Sequence, residues 1–308
     1  MLVLRPVGVS KTTNTCETPV FDMGRRVVPC GDKEDFMRQA DYEFFKSNGY
    51  ISLGKILSDV EVKQFIDIYD RDRAEVGHHW YRVGAHQTLN CDALVTSPEF
   101  DDIIRHPEVM APLRTLMGNE PCFSEICIRH MAPYDGELHR GWHRDGPKHW
   151  LEHPLRIGFM QLMLYLTDVD EATHCFSISP ESMDEAILDT EPQLQRSGIV
   201  DLHGPAGTGI LFNIGVLHTA TVRPTEKERK TVQVYYGHPY RPYLSEDSLI
   251  PVDLWRDHPD PKVRAFYGVL NNKTWEYLER AAAKAEIPFE QMLGMLRELD
   301  VENRKRRR

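Results

Sequence analysis

What the chain lacks narrows it first. Its six cysteines, at 16, 30, 91, 122, 127 and 175, include no Cys-x-x-Cys pair, which argues against a zinc ribbon or a thioredoxin-like redox site. Six in 308 residues is too few for a disulfide scaffold, so a reducing compartment is expected. No window approaches ~18 consecutive apolar residues, the length of a membrane-spanning helix. The start, Met1-Leu2-Val3-Leu4-Arg5-Pro6, has no apolar run long enough for a signal peptide. A cytoplasmic location with no membrane partner is therefore expected. Positive charge is outnumbered, 37 Lys and Arg against 47 Asp and Glu. The formal net charge of -10 argues against non-specific binding to nucleic acid. The basic end, Arg304 to Arg308, reads as a solvated tail. There is no internal repeat and no low-complexity segment.

The elements that are present change character along the chain. Residues 1 to about 32 mix Thr, Pro, Gly and Cys without a period. Helical spacing runs from about Lys33 to Lys46 and stops at Asn48-Gly49. Tyr50 to Leu53 is a short strand candidate. Ser58-Asp59-Val60-Glu61 is a capping box, so a helix should start at Asp59. Proline at a first helical position marks two more starts, at Ser97-Pro98 and His106-Pro107, the second ending near Gly118. The first third is thus expected to be mainly helical. The middle third turns to strands: Cys122 to Met131, Ile157 to Thr167, Cys175 to Ile178, Gly209 to Ile214 and Thr231 to Gly237. Short strands without regularly interleaved helices point to a β-sandwich or barrel. Helices return at about Lys273–Glu286 and Pro288–Leu299.

Chemistry gathers at three places: Gly141-Trp142-His143-Arg144-Asp145, Val216-Leu217-His218-Thr219 and Glu228-Arg229-Lys230-Thr231. In extended chain, residues i and i+2 point to one side, so His143 and Asp145 can converge on one ion. His218, on a second strand, would complete two imidazoles and a carboxylate on one face. That set leaves coordination positions open and suits iron(II). Read alone, His-x-Asp also fits a solvated loop, and this chain has 14 histidines. Arg229 follows His218 by 11 residues at the start of a strand, sharing parity with Thr231, Gln233 and Tyr235. A buried strand arginine needs an anion, and a guanidinium fork takes a carboxylate with two hydrogen bonds. The distal carboxylate of 2-oxoglutarate would serve. A solvent-facing arginine beside Lys227, Glu228 and Lys230 is the alternative.

With these segments in place, the sequence resembles the phytanoyl-CoA dioxygenase family of iron(II)/2-oxoglutarate oxygenases over about residues 40 to 240. Tyr42 to Ile51 followed by Leu57 to Glu61 looks like the family's helix–strand–helix opening. Trp142-His143-Arg144-Asp145 is similar to its first metal motif. Cys175 to Met183 is similar to the strand that ends in Pro-Gly-Ser-His. His218 followed by Arg229 matches the distal histidine and the co-substrate arginine. The resemblance implies a double-stranded β-helix, or jelly roll, with helices packed on one side. It implies iron(II), 2-oxoglutarate and dioxygen, with succinate and carbon dioxide as co-products. His143, Asp145 and His218 would be the catalytic metal ligands. Two departures stand out. The turn reads Pro180-Glu181-Ser182-Met183, and Ala220 replaces a frequent serine two residues after the distal histidine. Thr219 or His130 could supply the missing hydrogen bond to the oxoacid. Because Asp145 is present, hydroxylation or a related oxidation is expected rather than halogenation.

The expected organisation is one domain over 1–308, with an irregular start, a jelly-roll core over about 120–240 and a C-terminal helical extension over about 250–300. The expected partner is a small-molecule substrate, oxidised by hydroxylation, desaturation, ring closure or epoxidation in biosynthetic tailoring. The expected state is a monomer or homodimer. Trp80, Tyr81, Trp142, Trp150 and Tyr235 are candidates for a pocket wall, and Arg140, Arg144, Lys148 and His149 for attracting an anion. The competing functions are a catalytically silent jelly-roll protein with a structural metal and an oxygen-independent cupin isomerase or hydrolase.

Overall fold

The computed structural model describes residues 37–84, 86–145, 149–241 and 246–284, with 288 and 291. It opens with α1 (Gln39–Asn48), β1 (Tyr50–Lys55) and α2 (Asp59–Glu75). Then come β2 (Tyr81–Val83), β3 (Gln87–Asn90), α3 (Ala93–Thr96), α4 (Asp101–Ile104) and α5 (Pro107–Met117). The central part holds β4 (Cys122–Met131), β5 (His139–Arg140), β6 (Met160–Tyr165), β7 (Cys175–Ile178) and α6 (Thr190–Ser197). β8 (Val200–Leu202), β9 (Thr208–Asn213), β10 (His218–Val222) and β11 (Arg229–Gly237) follow. α7 (Val252–Trp255), α8 (Pro261–Tyr267) and α9 (Asn272–Lys284) close the described chain.

Local signals explain many of these bounds. Ser58 caps α2 through the Glu61 amide, and the Glu61 carboxylate accepts from the Ser58 amide at 2.7 Å. α5 begins with Pro107 and stops at Gly118 in the left-handed conformation. Gly49 stops α1 in the same way, with φ of 74°, and a Cβ there would collide with Val216. The expected helix from Lys33 starts instead at Gln39, because Arg38 is extended and Lys33 lies outside the described residues. The Ser97-Pro98 start yields a single 3-10 turn that runs into α4. β2, β3, β5, β8 and α6 carry no readable sequence signal, because their lengths hold too few periods, whereas α7 and α8 fall within the helical extension expected over about 250–300. The expected helix over 288–299 falls mainly outside the described residues.

The strands form two antiparallel sheets, seven-stranded in the order β1-β9-β6-β11-β4-β3-β2 and four-stranded in the order β5-β10-β7-β8. Phe176 of the small sheet packs on Phe212 of the large one, with ring centroids 4.7 Å apart. The sheets face one another as a jelly roll flanked by helices. Register assigns the faces of the large sheet, because directly opposed residues share a side. Arg229, Thr231, Gln233 and Tyr235 oppose Met131, Arg129, Cys127 and Glu125, and these point between the sheets. Lys230, Val232 and Val234 oppose His130, Ile128 and Ile126 on the other side. There the helices cover them: Lys230 reaches Asp70 of α2 at 2.7 Å, and Tyr236 donates to the Ile104 carbonyl of α4 at 2.8 Å.

Candidate metal centre

The two histidines are brought together by backbone before side chains matter. His143 and His218 form an isolated antiparallel bridge, each amide donating to the other's carbonyl at 3.0 Å. The Asp145 amide donates to the Ile214 carbonyl at 3.1 Å. The loop carrying the first motif is thus stitched to the approach and start of β10.

Each imidazole is then aimed by a second contact. His143 Nδ1 lies 2.8 Å from the Gly141 carbonyl, and His218 Nδ1 lies 2.8 Å from the Val216 carbonyl. A carbonyl only accepts, so both Nδ1 atoms carry the proton and both Nε2 atoms present a lone pair. These Nε2 atoms flank one carboxylate, at 3.5 Å from Asp145 Oδ1 and 3.6 Å from Oδ2. The donor atoms of all three residues fall within 4.8 Å of one another. Tyr235 donates to Asp145 Oδ2 at 2.9 Å and fixes the carboxylate's rotation.

Electrostatics match this geometry. Burial, then the neighbouring His218, holds the His143 imidazole below its ordinary value and keeps it neutral. Burial alone would raise the Asp145 carboxyl. The imidazoles of His218 and His143 beside it and the Tyr235 hydroxyl outweigh burial and bring the carboxyl down to about 2. The site offers imidazole nitrogen and carboxylate oxygen with one face open, a donor set suited to a divalent transition metal such as iron(II). His143 is half exposed while His218 is buried, so access is from the His143 side.

The inner face beside the triad holds polar atoms without partners. Arg229 is 2% exposed, and its Nε and Nη1 are buried with no hydrogen bond. The Thr231 hydroxyl, two residues on, is buried and unpartnered too. An unpaired buried guanidinium is costly, and its charge cannot be titrated away at ordinary pH. A carboxylate placed against Arg229 and Thr231 would satisfy these atoms, so the residues present fit an oxoacid.

Thr219 and His130 are not brought to the site, which corrects the expectation for both. Strand alternation puts His218 and Ala220 on the inner face of the small sheet and turns Thr219 outward beside Ser177, where its hydroxyl donates to the Ala220 carbonyl at 3.0 Å. His130 opposes Lys230 on the helix-covered face and pairs with Glu228 at 2.8 Å. Thr231 is the residue whose unpartnered hydroxyl lies on the inner face beside Arg229. Its shared parity with Arg229 was the signal that could have found it.

The other candidates sort by contact. Arg144 forms a buried ion pair with Glu181 and donates to the Gly215 and Leu188 carbonyls at 2.8 and 2.9 Å. It therefore holds the loop between His143 and Asp145 instead of waiting for an anion. Glu181, the departure from the family turn, also accepts from the Leu217 amide at 3.3 Å. Arg140 pairs with Asp201 at 3.2 Å. Lys148 lies outside the described residues. Trp80 donates to Asp72 at 2.8 Å and packs on Tyr69, away from the triad. Trp150 packs against the rings of His153 and His238, edge-on to the latter. Asp201, grouped with Cys175 and His203, is occupied by Ser177, Arg140 and Arg223. A surface cleft of about 720 Å³ beside α2, lined by Lys63, Asp67 and Arg71 among others, holds none of the site residues.

Comparison with known proteins bears on the family and the fold. The family profile of phytanoyl-CoA dioxygenase matches residues 45–231, more than half of the chain. No curated protein sequence matches. Among solved structures, EctD from S. alaskensis with 2-oxoglutarate and 5-hydroxyectoine superposes with a TM-score of 0.58 at 18% identity, covering 69% of this chain and 80% of its own. The α-ketoglutarate-dependent epimerase SnoN of nogalamycin biosynthesis gives 0.56 at 19%, covering 67% and 83%. HygX from Streptomyces hygroscopicus, with nickel, 2-oxoglutarate and hygromycin B, gives 0.54 at 14%, covering 73% and 95%. At these identities the structures establish the shared fold. Among the described residues, no helix is long and apolar enough to cross a membrane.

Proposed function

We propose, from the premise that this chain belongs to the phytanoyl-CoA dioxygenase family, that His143, Asp145 and His218 hold iron(II), that Arg229 and Thr231 hold 2-oxoglutarate, and that the enzyme oxidises a small organic molecule. The family uses iron(II), 2-oxoglutarate and dioxygen, and this chain is a non-haem enzyme of that type. When bound, the metal and oxoacid supply oxidative decarboxylation to succinate and carbon dioxide coupled to oxidation of a substrate C–H bond. The observation that carries the reading is the pairing of a convergent two-imidazole, one-carboxylate set with an unpartnered buried guanidinium on the same inner face.

The chain's own residues have distinct tasks. The Gly141 and Val216 carbonyls keep the Nδ1 protons and so present both Nε2 lone pairs. Tyr235 steadies the Asp145 carboxylate. Arg229 and Thr231 orient the oxoacid by its distal carboxylate. Phe176 and Phe212 pack on the His218 ring and exclude water from the back of the site. The reaction proposed is hydroxylation or a related oxidation in biosynthetic tailoring, in the cytoplasm. The unpartnered Arg229 disfavours both a structural metal site and an oxygen-independent isomerase, since neither needs an oxoacid clamp.

Anaerobic titration of the protein with iron(II) and 2-oxoglutarate, read by the visible charge-transfer absorption of the chelate, tests this. The wild type should form the chelate and release succinate on admission of oxygen. His143→Ala should lose both while keeping its thermal transition. A variant that loses its fold but not its chelate, or a wild type that forms no chelate, would overturn the reading.

A further inference from the structure

The inner wall of the large sheet carries a second guanidinium with no carboxylate of its own. Arg129 directly opposes Thr231 in the register of β4 and β11, and so shares the inner face with Arg229, Gln233 and Tyr235. Its Nε is buried without a hydrogen-bond partner. Among the described residues, no Asp or Glu is paired with it. Its strongest neighbours are Cys127, then Tyr235 and Cys91. The register sets it diagonally across from Arg229 and on the same inner face as Tyr235, whose hydroxyl meets Asp145.

The two inner-face arginines diverge. Arg229 is buried almost completely and shares the inner face with Tyr165 of β6. Arg129 is partly exposed and faces the β3 edge, where it opposes Leu89. At that edge Tyr81 is 47% exposed and its hydroxyl lies 3.4 Å from Cys91. Arg229 is therefore the more deeply buried of the two, and Arg129 the more accessible. An arginine keeps its charge at ordinary pH, and a buried Nε without an acceptor is costly, so an anion placed here would complete it. Sulfur is a weak acceptor, and Cys127 cannot match the two-pronged geometry that a planar carboxylate offers a guanidinium. The rest of this wall is polar as well. Gln161 donates to Gln233 at 3.0 Å, and Glu125 lies buried further along β4.

We propose that Arg129 is the anchor for the primary substrate, and that this substrate is a small polar molecule bearing a carboxylate. The inference rests on the iron and oxoacid reading above. Arg129 clamps the carboxylate on the Tyr235 side of the triad and so positions a nearby C–H bond at the open face. The amides of Gln161 and Gln233 favour polar groups over a hydrocarbon chain.

Acetate and its neutral isostere acetamide are the probes, titrated into anaerobic holoenzyme saturated with iron(II) and 2-oxoglutarate. Circular dichroism of the iron centre is the readout. Acetate should perturb the spectrum saturably and acetamide should not. Arg129→Gln should weaken acetate about tenfold or more, with 2-oxoglutarate affinity held within about threefold and the thermal transition retained. Arg129→Lys should keep part of the response, and Cys127→Ala nearly all of it. The proposal is overturned if acetate and acetamide act alike, or if Arg129→Gln leaves the acetate response intact. It is equally overturned if Arg129→Gln weakens 2-oxoglutarate as much as loss of Arg229 does, which would make Arg129 an oxoacid ligand. If wild-type protein forms no chelate with 2-oxoglutarate, the failure belongs to the iron and oxoacid reading beneath it.

Discussion

Arg229 and Lys230 are consecutive residues on one strand, both buried, and they meet opposite fates. Lys230 turns to the helix-covered face, where Asp70 at 2.7 Å and Glu228 at 3.1 Å neutralise it. Arg229 turns inward and finds no anion, and burial pulls its pKa below the ordinary value. The folded chain completes one cation and leaves the other, the proposed oxoacid clamp, unpaired. Identity, burial and strand are nearly the same for the two, so the partner decides which cation is structural and which is functional.

The sharpest break of that comparison is a pair of substitutions. Arg229→Gln should weaken 2-oxoglutarate by two to three orders of magnitude, about 3–4 kcal/mol, since it deletes a charge-assisted clamp in a dry site. The same change should leave the ligand-free thermal transition unchanged or raised, because it removes an uncompensated buried charge. Lys230→Met should do the reverse. It should cost about 1 kcal/mol of stability, because its partners are half exposed, and leave 2-oxoglutarate affinity untouched. Titration of the chelate and differential scanning calorimetry on both variants separate the effects.

Arg144 and Glu181 extend the comparison to a cation that is completed beside the site. Glu181→Ala strands a buried guanidinium between two metal ligands, so it should cost about 3 kcal/mol in denaturant unfolding. It should also loosen iron(II), measured as the free-iron midpoint of the chelate absorption. An unchanged unfolding midpoint would remove Glu181 from the support of the site. The smallest effect is expected at Thr231. Thr231→Val keeps shape and deletes one unpartnered hydroxyl, so 2-oxoglutarate affinity should fall about tenfold, or ~1.4 kcal/mol. Ligand-free stability should not fall.

Legibility followed the range of the interactions. The capping box at Ser58, the Pro107 start and Gly118 stop, and the alternating run of β11 depend on neighbours within a few residues, and they were readable. The convergence of His143 on Asp145 follows from i, i+2 spacing and was readable as well. The faces of isolated residues were not. Thr219 adjoins a site histidine in sequence, and His130 lies on a strand beside the inner face, yet alternation turns both away from the site. Arg129, one residue from His130, faces inward and drew no notice. A single-residue error in parity exchanges the two faces of a sheet.

The sequence by itself determined the donor types, their order and the short-range devices that aim them. It holds two histidines, a carboxylate and an arginine at spacings that suit one iron and one oxoacid. Only the tertiary structure decided which charges would be satisfied. That outcome depends on cross-strand register and on which helix covers which face, and both are set by contacts between residues as distant as Lys230 and Asp70, or His143 and His218. Desolvation makes each such pairing consequential, so the positions left unpaired mark where ligands are to bind.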